Sequence, residues 1–159
     1  MLNRKLFVAV ILALTLLLPA TGALAKTALN STTANMVTLR ADDTGHFFRV
    51  KQGGALSDTE YKVPSGKVFI IMDVEWKFTD GTGGTGYSLA LQINGPSGTL
   101  DAFTATALMN TGMGGATANM GSGFLLGPSG TLTATVSSGL SLANSTIFVH
   151  GYLATASGT

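Results

Sequence analysis

Val68, Ile70, Met72, Val74, Trp76 and Phe78 alternate with Lys67, Phe69, Ile71, Asp73, Glu75 and Lys77. Successive side chains on a strand point to opposite faces, so this run predicts one long strand with its all-apolar even positions turned to a core. After Lys67 the odd positions are apolar at Phe69 and Ile71 and turn polar from Asp73 onward. The same period of two recurs where Tyr87, Leu89, Leu91 and Ile93 alternate with Ser88, Ala90, Gln92 and Asn94. It recurs again at Leu132, Ala134 and Val136 among threonines, and at Ile147, Val149 and Leu153 against Phe148, His150 and Tyr152. Shorter strands are predicted near residues 36–40, 47–51, 59–63, 99–107 and 123–126. No stretch carries a sustained 3.6-residue period. Strands separated by turn signals at this spacing predict an all-β, antiparallel sandwich of about eight or nine strands, jelly-roll-like in its connections.

The turns share a chemistry. Pro64-Ser65-Gly66, Pro96-Ser97-Gly98 and Pro128-Ser129-Gly130 recur at intervals of 32 residues, and the last two extend to the same Gly-Pro-Ser-Gly-Thr-Leu. Proline presets φ for the first central position of a turn, and glycine then takes the left-handed conformation that rejoins a strand. Each triplet is therefore read as a strand-to-strand corner. The segments between corners do not resemble one another, which favours recurring corners over an internal repeat.

The beginning of the chain has a different character. Arg4 and Lys5 precede the apolar run Leu6–Leu18, Pro19 and Gly22 interrupt it, and Ala23-Leu24-Ala25 has the small-x-small pattern of a cleavage site. Residues 1–25 are thus expected to be an export signal. The run is shorter than the roughly 20 residues a helix needs to cross a bilayer. Residues 26–35 are small and polar and read as a flexible arm, leaving residues 36–159 as a single domain. An exported, extracellular or periplasmic address follows, with no membrane span once the signal is removed. The chain has no cysteine, so its stability must come from its core or from assembly rather than from disulfides.

Charge changes the picture most. Only 11% of the 159 residues are charged, against about 25% in ordinary soluble domains. Without the leader, the nine basic residues fall to seven against eight acidic ones. That balance does not suit an electrostatic nucleic-acid binder. The distribution is uneven too: from Ala102 to Thr159 there is no Asp, Glu, Lys or Arg. Sheets ordinarily guard their edges with charges. A charge-free half either lies inside an assembly or depends on small polar side chains and bulges. Residues 112–123, GMGGATANMGSG, are of low complexity.

Several motifs are better read as structure than as chemistry. Asp43-Thr44-Gly45 matches the aspartic-protease triplet, but Arg40-Ala41-Asp42 precedes it rather than an apolar strand, and such sequences are common in hairpin turns. Residues 81–86, GTGGTG, formally contain GxGxxG; a strand follows them rather than the helix that a pyrophosphate site requires. Asp80 beside this loop is one carboxylate where calcium needs six to eight oxygens. His46 and His150 have neither the partners nor the spacing of a zinc site. No Gly-x-Ser-x-Gly elbow occurs, although a triad assembled by the fold stays open at this level. Asn30-Ser31-Thr32 and Asn144-Ser145-Thr146 match glycosylation acceptors only formally. No catalytic residue, metal or cofactor is expected.

Phe148, His150 and Tyr152 are the candidate contact residues. If Ile147, Val149 and Leu153 face the core, these three rings point outward, as a platform for a sugar or a subunit contact. Packing beneath a loop or against a second sheet is the other reading. Trp76, on the apolar face of the longest strand, reads as core.

With the strands placed, Tyr61–Val74 (YKVPSGKVFIIMDV), Gly123–Val136 (GFLLGPSGTLTATV) and Val149–Leu153 (VHGYL) together resemble small secreted bacterial β-sandwich proteins, often jelly-roll-like. The resemblance covers roughly residues 61–153 and implies a fold and an exported location, with no assigned reaction and no functional residues. The expected function is a non-enzymatic exported module that assembles with itself as a homo-oligomer, or binds a cell-surface polymer through the aromatic strand face.

Overall fold

The computed structural model describes residues 35–95, 98–108 and 113–156. The expected export signal, most of the arm and the Asn30 acceptor lie outside the described residues. So do Pro96 and Ser97 of the middle corner.

Nine strands follow one another among the described residues: β1 (Met36–Ala41), β2 (Phe47–Val50), β3 (Leu56–Glu60), β4 (Lys67–Phe78), β5 (Gly86–Gly95), β6 (Gly98–Leu108), β7 (Gly114–Leu126), β8 (Thr131–Val136) and β9 (Ser145–Thr155). A 3-10 turn, Leu142–Asn144, precedes β9. The strands form an all-β sandwich of two antiparallel sheets, with orders β3-β2-β1-β9-β4-β7 and β6-β5-β8. After β4 the chain changes sheet at every connection except the β5–β6 hairpin, the long-range weaving of a jelly roll. One side of the sandwich is stitched shut: His46 bridges Thr133, and Ala134 donates its N–H to the Gly45 carbonyl at 2.8 Å.

The core lies between the sheets. Leu39, Phe47, Phe69, Trp76, Phe78, Leu89, Leu91, Leu126, Leu132, Ile147 and Val149 are all essentially inaccessible. Each such side chain contributes about 1.5–3 kcal/mol by leaving water. Trp76 and Phe78 meet at 4.7 Å between ring centroids, and Phe78 meets Tyr87 edge-on at 5.5 Å. No polar or charged residue is buried among the described residues. Trp76 is core, as its pattern predicts.

The even face of β4 is not core along its whole length. Both ladders of β4 skip Met72: Ile71 pairs with Gly151 and Phe124, and the next pairs join Asp73 to His150 and Asn119. An extra residue in one strand reverses which side chains face inward beyond it. The buried positions are therefore Phe69 and Ile71 before the bulge, and Val74, Trp76 and Phe78 after it. Val68, Ile70 and Met72, expected inside, are only half-buried.

Two other expectations change. The strand placed near residues 59–63 lies at Leu56–Glu60. The short strand placed at 123–126 extends back to Gly114, taking in most of the low-complexity stretch. Its first glycines and alanines, Gly114 to Ala118, pair with β4, with Gly115 opposite Lys77 and Ala118 opposite Val74. A Cβ on Gly115 would stand 2.1 Å from the Trp76 carbonyl oxygen, so the close approach of these strands requires glycine there.

The corners also differ from one another. Gly66 and Gly98 take the predicted left-handed conformation. In the third corner Ser129 takes it instead, at φ +61°. Gly130 is needed for space: a Cβ there would lie 2.7 Å from Leu126 Cδ1.

Candidate functional site

The outer face of the six-stranded sheet is ordered by strand register. Ile147 and Val149 are buried and Leu153 packs against the core, so Phe148, His150 and Tyr152 of β9 point outward together. Each is centred in a cross-strand row. Phe148 lies between Arg40 of β1 and Glu75 of β4, with Thr117 of β7 beyond. His150 lies between Thr38 and Asp73, with Asn119 beyond. Tyr152 lies between Met36 and Ile70, with Leu125 beyond. The face is thus apolar at the Tyr152 end and charged at the Phe148 end.

The middle ring is held in place. His150 Nδ1 is 3.1 Å from Thr38 Oγ1, its Nε2 is 3.9 Å from Asp73 Oδ1, and its ring lies 6.0 Å from that of Phe148. Glu75 pairs with Lys77, whose hydrogen bond and positive charge hold the carboxyl below its usual range.

A shallow groove of about 560 Å³ lies on the stitched side, lined by His46, Glu60, Lys62, Asn94, Ser129 and Thr133, among others. Its polar groups are largely engaged with one another. His46 Nδ1 is 2.9 Å from Glu60 Oε1, and Asn94 Nδ2 donates to Thr133 Oγ1 at 3.1 Å. Among the described residues no serine hydroxyl is hydrogen-bonded to either histidine ring, and no group of three or more His, Asp or Glu residues converges as metal ligands.

The formal motifs have structural partners. Asp42, not Asp43, organises the turn between β1 and β2. Its Oδ1 accepts from Thr44 N at 3.0 Å, Thr44 Oγ1 at 2.7 Å and His46 N at 3.0 Å. Partial burial pushes this carboxyl up, but those donors and the nearby His46 ring outweigh it and leave the pKa lowered. Asp43-Thr44-Gly45 is thus part of a tight turn. The glycine loop joins β4 to β5 and is closed by Thr82 N donating to the Tyr87 hydroxyl at 2.8 Å. Asp80 accepts from Asn144 Nδ2 at 2.7 Å, which ties the second glycosylation-like triplet to this loop.

The charge-free half does not form one surface. β9 runs between charged β1 and β4, β8 borders the stitched side, and β7 is an edge of the larger sheet. The unguarded surface is β7. Among the described residues, three of the four exposed large apolar side chains adjoin or belong to it: Met113 at 64%, Phe124 at 40% and Leu125 at 63%. A groove of about 510 Å³ runs along its first half, between Met113 and Phe78. The sequence carries this signal as a charge-free, low-complexity run, but reading that run as an edge strand requires the sheet order.

No protein-family model matches the chain, and a search of curated proteins returns no relative.

Proposed function

We propose that this protein is a non-enzymatic, exported β-sandwich module that acts by assembling with copies of itself at the cell surface or in the envelope. The observation that carries this reading is the edge strand β7, without a charged residue and flanked by exposed Met113, Phe124 and Leu125. The other edge of the same sheet, β3, carries Asp58 and Glu60 and has Lys51 and Lys62 beside it, the usual guard against edge pairing. A long unguarded edge is otherwise an aggregation hazard, so its presence in an exported chain supports a use for it. Sedimentation and light scattering of the exported chain test the idea. A defined oligomer at micromolar concentration supports it, and a strict monomer at high micromolar concentration overturns it.

A second reading rests on the outward alignment of Phe148, His150 and Tyr152. Rings with apolar faces beside Asp73, Glu75, Thr38 and Asn119 offer both the stacking and the hydrogen bonding that a glycan polymer needs. Pull-down on cell-wall polysaccharide, with Tyr152→Ala as control, tests it. Equal retention of the variant, or no retention of either protein, removes the face from consideration.

A further inference from the structure

We infer that β7 pairs with β7 of a second copy, antiparallel across a two-fold axis centred on Thr117, extending the six-stranded sheet across both copies. This rests on the self-assembly reading above and specifies its interface.

The argument starts from unmatched backbone groups. Among the described residues β7 hydrogen-bonds only to β4, so its other edge presents backbone N–H and C=O groups with no strand to receive them. The groups that best satisfy such an edge belong to another strand. Of the edges in this molecule, β3 is charged and β8 is covered by the turn at Gly45 and His46. β6 lies beside β7 on the same side of the sandwich, and its pairing with β5 brings Asp101 into that strand. A second β7 has no charge and no bulky side chain in its regular part to oppose approach.

The register follows from the bulge. Residues 114–119 pair regularly with β4 from Phe78 to Asp73, whereas residues 120–123 have no partner there, and Gly123 sits at φ +72°. The regular segment is the part flat enough to add a strand. Facing residues in an antiparallel pair must lie on the same side of the sheet, so a two-fold pairing centres on one residue. Centring on Thr117 pairs five of the six regular residues, as many as centring on Ala116 would, and it alone sets two exposed threonines against each other. It sets Thr117 against Thr117 on the outer face, Ala116 against Ala118 on the inner face, and Gly115 against Asn119. Opposed threonines are a favourable cross-strand pair. The same operation carries Met113 of each copy to the level of Gly121 of the other, close to its exposed Phe124 and Leu125. The apolar side chains at the two ends of β7 then cover each other. The interface is isologous and closes at two copies, which separates it from open-ended aggregation.

The absence of native cysteine makes the test clean. Thr117→Cys, exposed on the outer face, brings two sulfurs together at the axis, where opposed Cα atoms lie about 4.5–5.5 Å apart, within disulfide range. The exported variant is oxidised with copper–phenanthroline beside Thr59→Cys on the charged edge β3. The expected result is about tenfold more covalent dimer from Thr117→Cys. Thr117→Lys, which opposes two like charges at the axis, is expected to weaken the dimer about tenfold or more. No excess cross-linking over Thr59→Cys overturns the inference. If sedimentation of the unsubstituted protein still shows an oligomer, only this interface falls; if it shows a monomer, the assembly reading falls as well.

Discussion

The backbone N–H of Ser129 donates to the Val63 carbonyl at 2.9 Å, and the Val63 N–H donates to the carbonyl of Gly130 at 3.1 Å. The third Pro-Ser-Gly corner is thereby docked on the residue just before the first. This exchange explains why Ser129, rather than the following glycine, takes the left-handed conformation. The docked geometry fixes the corner, and Gly130 supplies the space beside Leu126.

A non-glycine residue in that conformation costs roughly 1–2 kcal/mol. Ser129→Gly relieves most of this strain, while the more flexible unfolded chain returns about 0.5–1 kcal/mol. A net gain of up to about 1 kcal/mol is expected in urea unfolding. Gly130→Ala is expected to destabilise, because its Cβ would overlap Leu126 and the Gly127 carbonyl. If Ser129→Gly were instead destabilising, the serine side chain itself would have to stabilise the corner.

Gly45 is another position where space and conformation act together. Its φ is +85°, and a Cβ would stand 2.2 Å from the Ala134 carbonyl oxygen. Ala134 N donates to the Gly45 carbonyl, so any shift of the turn also breaks the stitch between the sheets. Gly45→Ala is expected to cost about 3 kcal/mol or more, from strain plus the lost hydrogen bond. Gly54→Ala is the comparison: it has a similar φ of +87° but nothing within 4 Å of its Cβ, so strain acts there alone. Equal losses in the two variants would show that the stitch carries no weight.

The Asp42 carboxylate accepts three donors in the same turn, so Asp42→Ala is expected to lower stability by about 1–2 kcal/mol at neutral pH. The pH dependence has a definite sign. The folded pKa lies below the usual carboxyl value of 3.8. The stabilisation is therefore fully present above that value and lost as pH falls through the lowered one. Chemical denaturation of the two proteins across the acid range should show curves that converge at low pH.

Much of the architecture was legible because strand alternation is a direct record of burial. The run from Lys67 to Phe78 is one strand with the predicted ends. The inward direction of Ile147 and Val149, and so the outward direction of Phe148, His150 and Tyr152, follows from the same logic. The bulge at Met72 could not be placed from the pattern, since residues 68–72 are apolar on both faces and a change of phase does not interrupt such a run. The apolar Phe69 and Ile71, on the supposed outer side, were its trace. β7 was hidden for a different reason. Gly114, Gly115, Ala116 and Ala118 have low strand propensity, and their place in the sheet comes from tertiary pairing with β4. The charge asymmetry was plain, but it does not mark one face, because β7, β8 and β9 are sent to different positions in the two sheets.

Two tyrosines give opposite responses to alkali. Tyr61 is buried with no hydrogen-bond partner for its hydroxyl, and burial pushes its pKa up to about 12 despite the opposing charge of Arg49. Tyr87 is held below its usual value because its oxygen accepts the Thr82 N–H and further hydrogen bonds from the glycine loop. In the unfolded chain both titrate near 10. Between about pH 10 and 12 unfolded Tyr61 loses its proton while folded Tyr61 keeps it, so this group's contribution to stability falls as pH rises through that window. Tyr87 acts in the reverse sense, stabilising the fold once pH passes its lowered value. Ultraviolet phenolate titration of the folded protein should show one tyrosine that stays protonated until about pH 12, and Tyr61→Phe should abolish that late phase alone. The same variant removes an unpartnered buried hydroxyl, so it is expected to be about 1 kcal/mol more stable at neutral pH. Its stability should also fall less steeply above pH 10 than that of the unsubstituted protein. A late phase that survives in Tyr61→Phe would assign it to another tyrosine and place the Tyr61 hydroxyl in contact with water.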